Sequence, residues 1–250
     1  MTPWQQELTP TGTLRVGVAY APKPTPIFVT QDSAGAVRGV ALDIGKALAE
    51  HLGVSLELMV AATTAELTEA CVAGAIDVGF MPADDERRKR LDFSPPYFMI
   101  ESTFLAAAGA HIKTLADVDR ADVTVVGVAG STTIRAAARS VKAAKIVAAT
   151  SVAQAMAMMQ AGQAQAFALT HDALPPLQQT LPGSLILSGA FQVTGVAMAM
   201  QKNRPAALAK VSAWMVQAKT DGTVRRALDD AGLNTLTIAP ISASLSAPTS

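Results

Sequence analysis

Apolar and polar positions alternate over Leu14-Arg-Val-Gly-Val18, which predicts an opening strand. The period then lengthens. Val40–Leu52 carries Ala41, Ile44, Leu48 and Leu52 on one stripe and ends at Gly53, the pattern of an amphipathic helix with a glycine stop. Ser55–Val60 predicts a strand, Ala65–Ala73 a helix closed by Gly74, and Asp77-Val-Gly-Phe-Met81 a short buried strand. Strands alternating with helices in this order predict a parallel sheet with helices on its faces. The rhythm then repeats. Val123–Val128 is a strand, Thr132–Val141 a helix and Lys145–Ala148 a strand. Ser151 caps a helix that presents Val152, Met156 and Met159 and ends at Gly162, and Ala166–Leu169 is a strand. Helical spacing makes those methionines core filler. A helix over Asp172–Thr180 is interrupted by Pro175-Pro176, and Leu185–Leu187 is a short strand. Pro205–Thr220 and Thr223–Ala231 are the closing helices.

Two long extended runs, Phe98–Ala107 and Phe191–Gln201, stand apart from this rhythm. They are the places where the chain can cross between two units. The expected organisation is a two-lobe α/β protein. Residues 1–101 and 195–250 form the first lobe and residues 102–194 are inserted as the second. The small, polar residues after Pro240 are expected to fray. Open α/β sheets bind ligands beyond the carboxyl ends of their strands, so the expected site is an inter-lobe cleft with the two crossing strands as hinge.

Two local features bear on that site. Ala21-Pro-Lys-Pro-Thr-Pro26 follows the first strand, and its prolines exclude helix and central strand while stiffening the loop. Tyr20, just before it, could stack on a ligand or pack the loop. Between Asp84 and Leu91 the chain places three acids and four bases, a short charged helix ended by Phe93 and Pro95-Pro96. Taken alone, such a run is a solvated face.

Composition narrows the function classes. Half of the residues are hydrophobic and the formal net charge is zero, which argues against nucleic acid or an anionic membrane surface as partner. Cys71 is the only cysteine, so no internal disulfide forms, and its apolar helical setting predicts a buried thiol. No apolar run approaches the ~20 residues that span a bilayer. The N-terminus lacks the basic-then-apolar layout of a signal peptide, so the chain is either cytoplasmic or has lost its signal. No HExxH, GxSxG, phosphate-loop or GxGxxG pattern occurs, and His51, His111 and His171 lie far apart. Neither metal nor cofactor is expected.

Leu14-Arg-Val-Gly-Val18, Gly39-Val-Ala-Leu-Asp-Ile44 and Glu86-Arg-Arg-Lys-Arg-Leu-Asp-Phe-Ser-Pro-Pro-Tyr97 together resemble the bacterial extracellular solute-binding proteins of family 3, the polar-amino-acid receptors of ABC importers. Val126-Gly-Val-Ala-Gly-Ser-Thr132 resembles that family's second-lobe ligand loop, and Lys219-Thr-Asp-Gly-Thr223 with Ala231-Gly-Leu233 its C-terminal helices. The resemblance implies the type II periplasmic-binding clamshell. It implies a periplasmic monomer whose signal has been removed, holding a small solute for a membrane permease. It makes Arg87 the group that grips a ligand carboxylate, through a rigid fork matched to two oxygens. Gly130, Ser131 and Thr132 carry over as the second-lobe loop. Thr170 falls where the family places an acid for the ligand ammonium, with His171 and Asp172 beside it, and Ala19 falls where another acid is usual. Phe80-Met-Pro-Ala83 replaces a Ser/Thr-rich run, and Pro82 has no N–H to donate. Glu101, in the first crossing strand, either faces solvent or partners a cation. The ligand-binding set is thus Arg87, Gly130, Ser131, Thr132, Thr170, Glu101, Tyr20 and Phe80, with no catalytic residue. The implied solute bears a carboxylate and has a less polar body than a standard α-amino acid, or an amine bound in another way. Two alternatives stay open: a dehydratase resembling cyclohexadienyl dehydratase on the same fold, and a ligand-sensing module.

Overall fold

The computed structural model describes residues 1–20, 25–243 and 245–247, so most of the proline-rich loop lies outside the described residues. In chain order the elements are α1 (Pro3–Leu8), β1 (Thr13–Ala19), β2 (Thr30–Gln31), β3 (Val37–Arg38), α2 (Val40–Leu52), β4 (Ser55–Ala61), α3 (Thr64–Val72) and β5 (Val78–Pro82). Then come α4 (Asp85–Arg90), β6 (Leu91–Phe93), β7 (Phe98–Ala106), β8 (Thr124–Val128), α5 (Thr132–Ser140), β9 (Lys145–Ala149), α6 (Val152–Gln160) and β10 (Ala166–Thr170). The remainder are α7 (Pro175–Gln178), β11 (Leu185–Ile186), β12 (Gln192–Gln201), α8 (Pro205–Thr220), α9 (Thr223–Asp230) and β13 (Ser246–Ala247).

The described chain divides into two compact units. One comprises Met1–Met99 with Gly195–Ser246, and the other is built on Ile100–Thr194. In the first, the strand order is β4-β1-β5-β12, with β4, β1 and β5 parallel and β12 antiparallel to β5. Leu14, Val16, Ile44, Leu48 and Phe80 are fully buried among its core side chains. The fully buried Asp77 carboxylate joins the strands: it accepts from the Arg15 backbone N–H, from Nε at 3.1 Å and from Nη2 at 2.6 Å. Its partnership raises the Arg15 pKa further above the ordinary guanidinium value.

The second unit repeats the wiring in the order β9-β8-β10-β7. The strands β9, β8 and β10 are parallel, and β7 is antiparallel to β10. Alternate residues feed two cores on opposite faces. Phe104, Val125 and Ala168 pack with Ala137 of α5, while Leu105, Val126 and Phe167 pack with Met156 and Met159 of α6. A sheet covered on both faces needs near-continuous apolar strands, which is why these runs read as unbroken.

Two expectations are corrected, and one element beyond the predicted ones forms at the N-terminus. The N-terminal residues form α1, where Thr2 and Gln5 make a capping box and Pro3 occupies the first turn. The helix expected over Asp172–Thr180 is a 3-10 turn, His171–Ala173, followed by the four-residue α7, because Pro175 can open a helix but not continue one. The expected fraying after Pro240 is not seen over the described residues 241–243 and 245–247, the rest of the tail lying outside the described residues: the Ala239 N–H bonds the Tyr97 carbonyl, the Leu245 carbonyl accepts from Gly195 N–H, and β13 pairs with β12. Lys219 fixes this segment by donating to the carbonyls of Pro96 and Pro240 at 3.0 and 2.9 Å, and burial lowers its pKa.

Candidate functional site

In the first unit the carboxyl ends of three parallel strands, β1, β4 and β5, lie along one edge. The chain leaves β5 at Pro82 and enters α4 through Asp84, whose buried side chain accepts from the Arg87 backbone N–H and caps the helix. Asp84 is therefore a cap rather than a helical residue. Arg87 is 3% exposed, whereas Arg88, Lys89 and Arg90 are exposed and pair with Asp85, Glu86 and Glu69. The charged run thus splits as its spacing allows, with one base turned inward and three outward.

The Arg87 guanidinium is held by named acceptors. Nε donates to the Thr68 hydroxyl at 3.0 Å, Nη2 to the Thr64 hydroxyl at 2.8 Å and Nη1 to the Pro82 carbonyl at 3.0 Å. Thr64 and Thr68 are buried and stand one turn apart on α3. Two hydroxyls at i, i+4 share the core stripe of α3 with Leu67 and Cys71, a pattern that marks them as buried but not as acceptors for Arg87. Pro82, which has no N–H for a ligand, serves the site through its carbonyl.

Phe80 does not belong to this edge. Its side chain is wholly buried and meets Tyr97 edge-on at 5.9 Å, so it is a core residue. Tyr20 lies just past β1, half-buried, with its N–H on the Ala61 carbonyl. Cys71 is buried as expected, with its thiol pKa pushed up to about 12 by desolvation.

In the second unit, β8 ends at Val128 and the chain turns through Gly130 at φ +69°, a left-handed conformation that glycine adopts without strain. Ser131 caps α5. Its hydroxyl accepts from the Ile134 N–H at 3.3 Å and donates to the Val128 carbonyl at 2.7 Å. Thr132 is buried and opens the helix. Arg135 donates to the Gly130 carbonyl at 2.8 Å and braces the loop. Because β10 lies parallel beside β8, half-buried Thr170 ends at the same edge as this loop. The β7 register pairs Ser102 with Thr170, which brings Glu101 to that edge as well, and its side chain is exposed. His171 and Asp172 are exposed at the start of the 3-10 turn. The sequence-derived set therefore falls into two groups, Arg87 with Tyr20 in one unit and Gly130, Ser131, Thr132, Thr170 and Glu101 in the other. Among the described residues, no helix is long and apolar enough to cross a membrane, and no three His, Cys, Asp or Glu side chains group as metal ligands.

Residues 14–231 match the bacterial extracellular solute-binding proteins, family 3. The chain belongs to this family. Among curated members, it is 27% identical over 185 residues to a glutamine-binding protein of Geobacillus stearothermophilus, covering 72% of this chain and 69% of that protein. A solved structure of the ancestral amino acid-binding protein AncCDT-1, a precursor of cyclohexadienyl dehydratase, is 29% identical, with a TM-score of 0.71 over 90% of this chain and 97% of that one. The binding component of an ABC transporter from Wolinella succinogenes DSM 1740, complexed with lysine, shares the fold at 24% identity. Its TM-score is 0.73 over 88% and 95% of the two chains. The family fold is the type II periplasmic amino-acid-binding architecture. The family and its curated relatives are binding proteins rather than enzymes.

Proposed function

We infer that this family member is the solute-binding component of an ABC importer, working in the periplasm and handing its solute to a permease. The solute is a small amino acid or amino-acid-like molecule, and its carboxylate meets the Arg87 guanidinium. The loop Gly130–Thr132 adds the N-terminal end of α5, where the helix dipole favours an anion.

The observation that carries this reading is the state of Arg87: a buried cation held by side chains of a neighbouring helix, at the carboxyl edge where open α/β sheets bind ligands. A planar fork already fixed in orientation loses little entropy on meeting two carboxylate oxygens. Relatives described as glutamine-binding and amino acid-binding support a carboxylate-bearing solute. At the expected ammonium position this chain has Thr170, and the nearby acids, Glu101 and Asp172, are exposed. That favours a body less polar than that of a standard α-amino acid.

The test is a thermal-shift panel of amino acids, amines and aliphatic and aromatic carboxylates. A tight solute raises Tm by mass action, with a stabilisation of about 4 kcal/mol at a thousandfold excess over Kd. At least one carboxylate should raise Tm, and its carboxamide should not. A panel in which only amines or amides act would contradict the carboxylate reading.

A further inference from the structure

We propose that Thr64 and Thr68 are positioning residues: together they form a prebuilt seat that fixes the plane of the Arg87 guanidinium. The proposal rests on the carboxylate role inferred for Arg87 and adds the residues through which that role is set.

The chemistry of the two hydroxyls makes them acceptors in a fixed direction. A threonine hydroxyl has one proton and two lone pairs. The Thr68 proton goes to the Thr64 carbonyl at 2.6 Å, one turn back along α3, so its lone pairs point away from its own helix. One of them receives Arg87 Nε at 3.0 Å, with the Met81 sulfur packed alongside at 3.5 Å. Nη2 reaches the Thr64 hydroxyl at 2.8 Å. Nε and Nη2 form the side-on edge of a guanidinium, and residues at i, i+4 on a helix lie on one face at the separation such an edge can bridge. The Pro82 carbonyl on Nη1 adds a third, backbone, point. Three points define a plane.

The platform under the seat is rigid. Thr63 caps α3 by accepting from the Glu66 N–H, and the Glu66 carboxylate returns to the Ala62 N–H at 2.9 Å, closing the first turn on both sides. Thr64 is the first residue inside that cap. The edge that would meet a carboxylate end-on, Nη1 with Nη2, is thereby oriented by residues that need not touch the solute.

The seat can be tested with the guanidinium ion itself, independently of which solute binds. In Arg87→Ala, millimolar guanidinium chloride, far below denaturing concentrations, should raise Tm by about 3 °C at tenfold over its Kd, while equal sodium chloride should not. Adding Thr64→Val and Thr68→Val should abolish that rise. With Arg87 intact, Thr64→Val/Thr68→Val should fold, lose the protected Arg87 Nε–H resonance, and bind the most stabilising carboxylate of the panel about tenfold more weakly. The double serine variant should restore both.

The proposal is overturned if Arg87→Ala gains no stability from guanidinium or if the triple variant gains as much. It is also overturned if the valine pair leaves the Nε–H protection and affinity at wild-type values. Unchanged carboxylate binding by Arg87→Ala would instead refute the role of Arg87 and leave the seat standing.

Discussion

Two buried carboxylates anchor the first unit, and each has a distinct task. Asp84 caps α4 and turns Arg87 inward. Asp77 ties the start of β5 to β1 through Arg15, with the side chain of Arg15 a quarter exposed and that of Asp77 not at all. Asp77→Ala should cost roughly 2–3 kcal/mol, towards the lower end for a broken buried pair because the abandoned Arg15 can still reach water. Urea unfolding monitored by circular dichroism measures it. A loss under about 0.5 kcal/mol would show that the pair contributes no more than a surface bridge. That Arg87 differs from the three exposed bases after it was legible from its motif. Its acceptors were not, because threonine on a helix is ordinarily read as a weak helix former or a cap, and only the fold brings Thr64 and Thr68 under a base nineteen or more positions away.

At the level of elements, the second unit contains a pH-sensitive tie. The Asp119 carboxylate accepts from the N–H groups of Ala143, Ala144 and Lys142, which hold the loop before β9, and these bonds lower its pKa below the ordinary carboxylate value. A lowered folded-state pKa gives stability that is present above the unfolded value of ~3.9 and is lost as pH falls through the folded one. Asp119→Asn should therefore lower Tm at pH 7, and the gap to wild type should close below about pH 4. A gap independent of pH would show that shape, not charge, matters there. The helix α2 was legible to its boundaries because its stripe and glycine stop agree. The helix α1 was not, having only Trp4 and Leu8 as apolar residues. It is held by its partner α8: the Lys210 ammonium lies 5.4 Å from the Trp4 ring, and Arg204 donates to the Glu7 carbonyl. The strand β13 escaped notice because Ser246-Ala247 has no strand propensity, and pairing with β12 supplies what composition lacks.

At the scale of the whole molecule, one wiring is used twice. Each unit orders its three parallel strands second-first-third in chain order, β4-β1-β5 and β9-β8-β10, and sets a long antiparallel strand beside the third. The repeated strand–helix rhythm and the two extended runs made this legible, because buried parallel strands and amphipathic helices have different periods. Side-chain facing within each unit was less legible. Phe80 sits on a strand with core on both sides, so sequence alone does not separate a core ring from a site-lining one. The proposed role of Arg87 is to bind the solute through its carboxylate. Isothermal titration of the most stabilising acid and of its carboxamide, into wild type, Arg87→Ala and Arg87→Lys, tests it most directly. Wild type should favour the acid by at least about a hundredfold, Arg87→Ala should lose that preference together with several kcal/mol of affinity, and Arg87→Lys, with charge but no fork, should fall between. Equal affinity of wild type and Arg87→Ala for the acid would show that Arg87 does not hold the carboxylate.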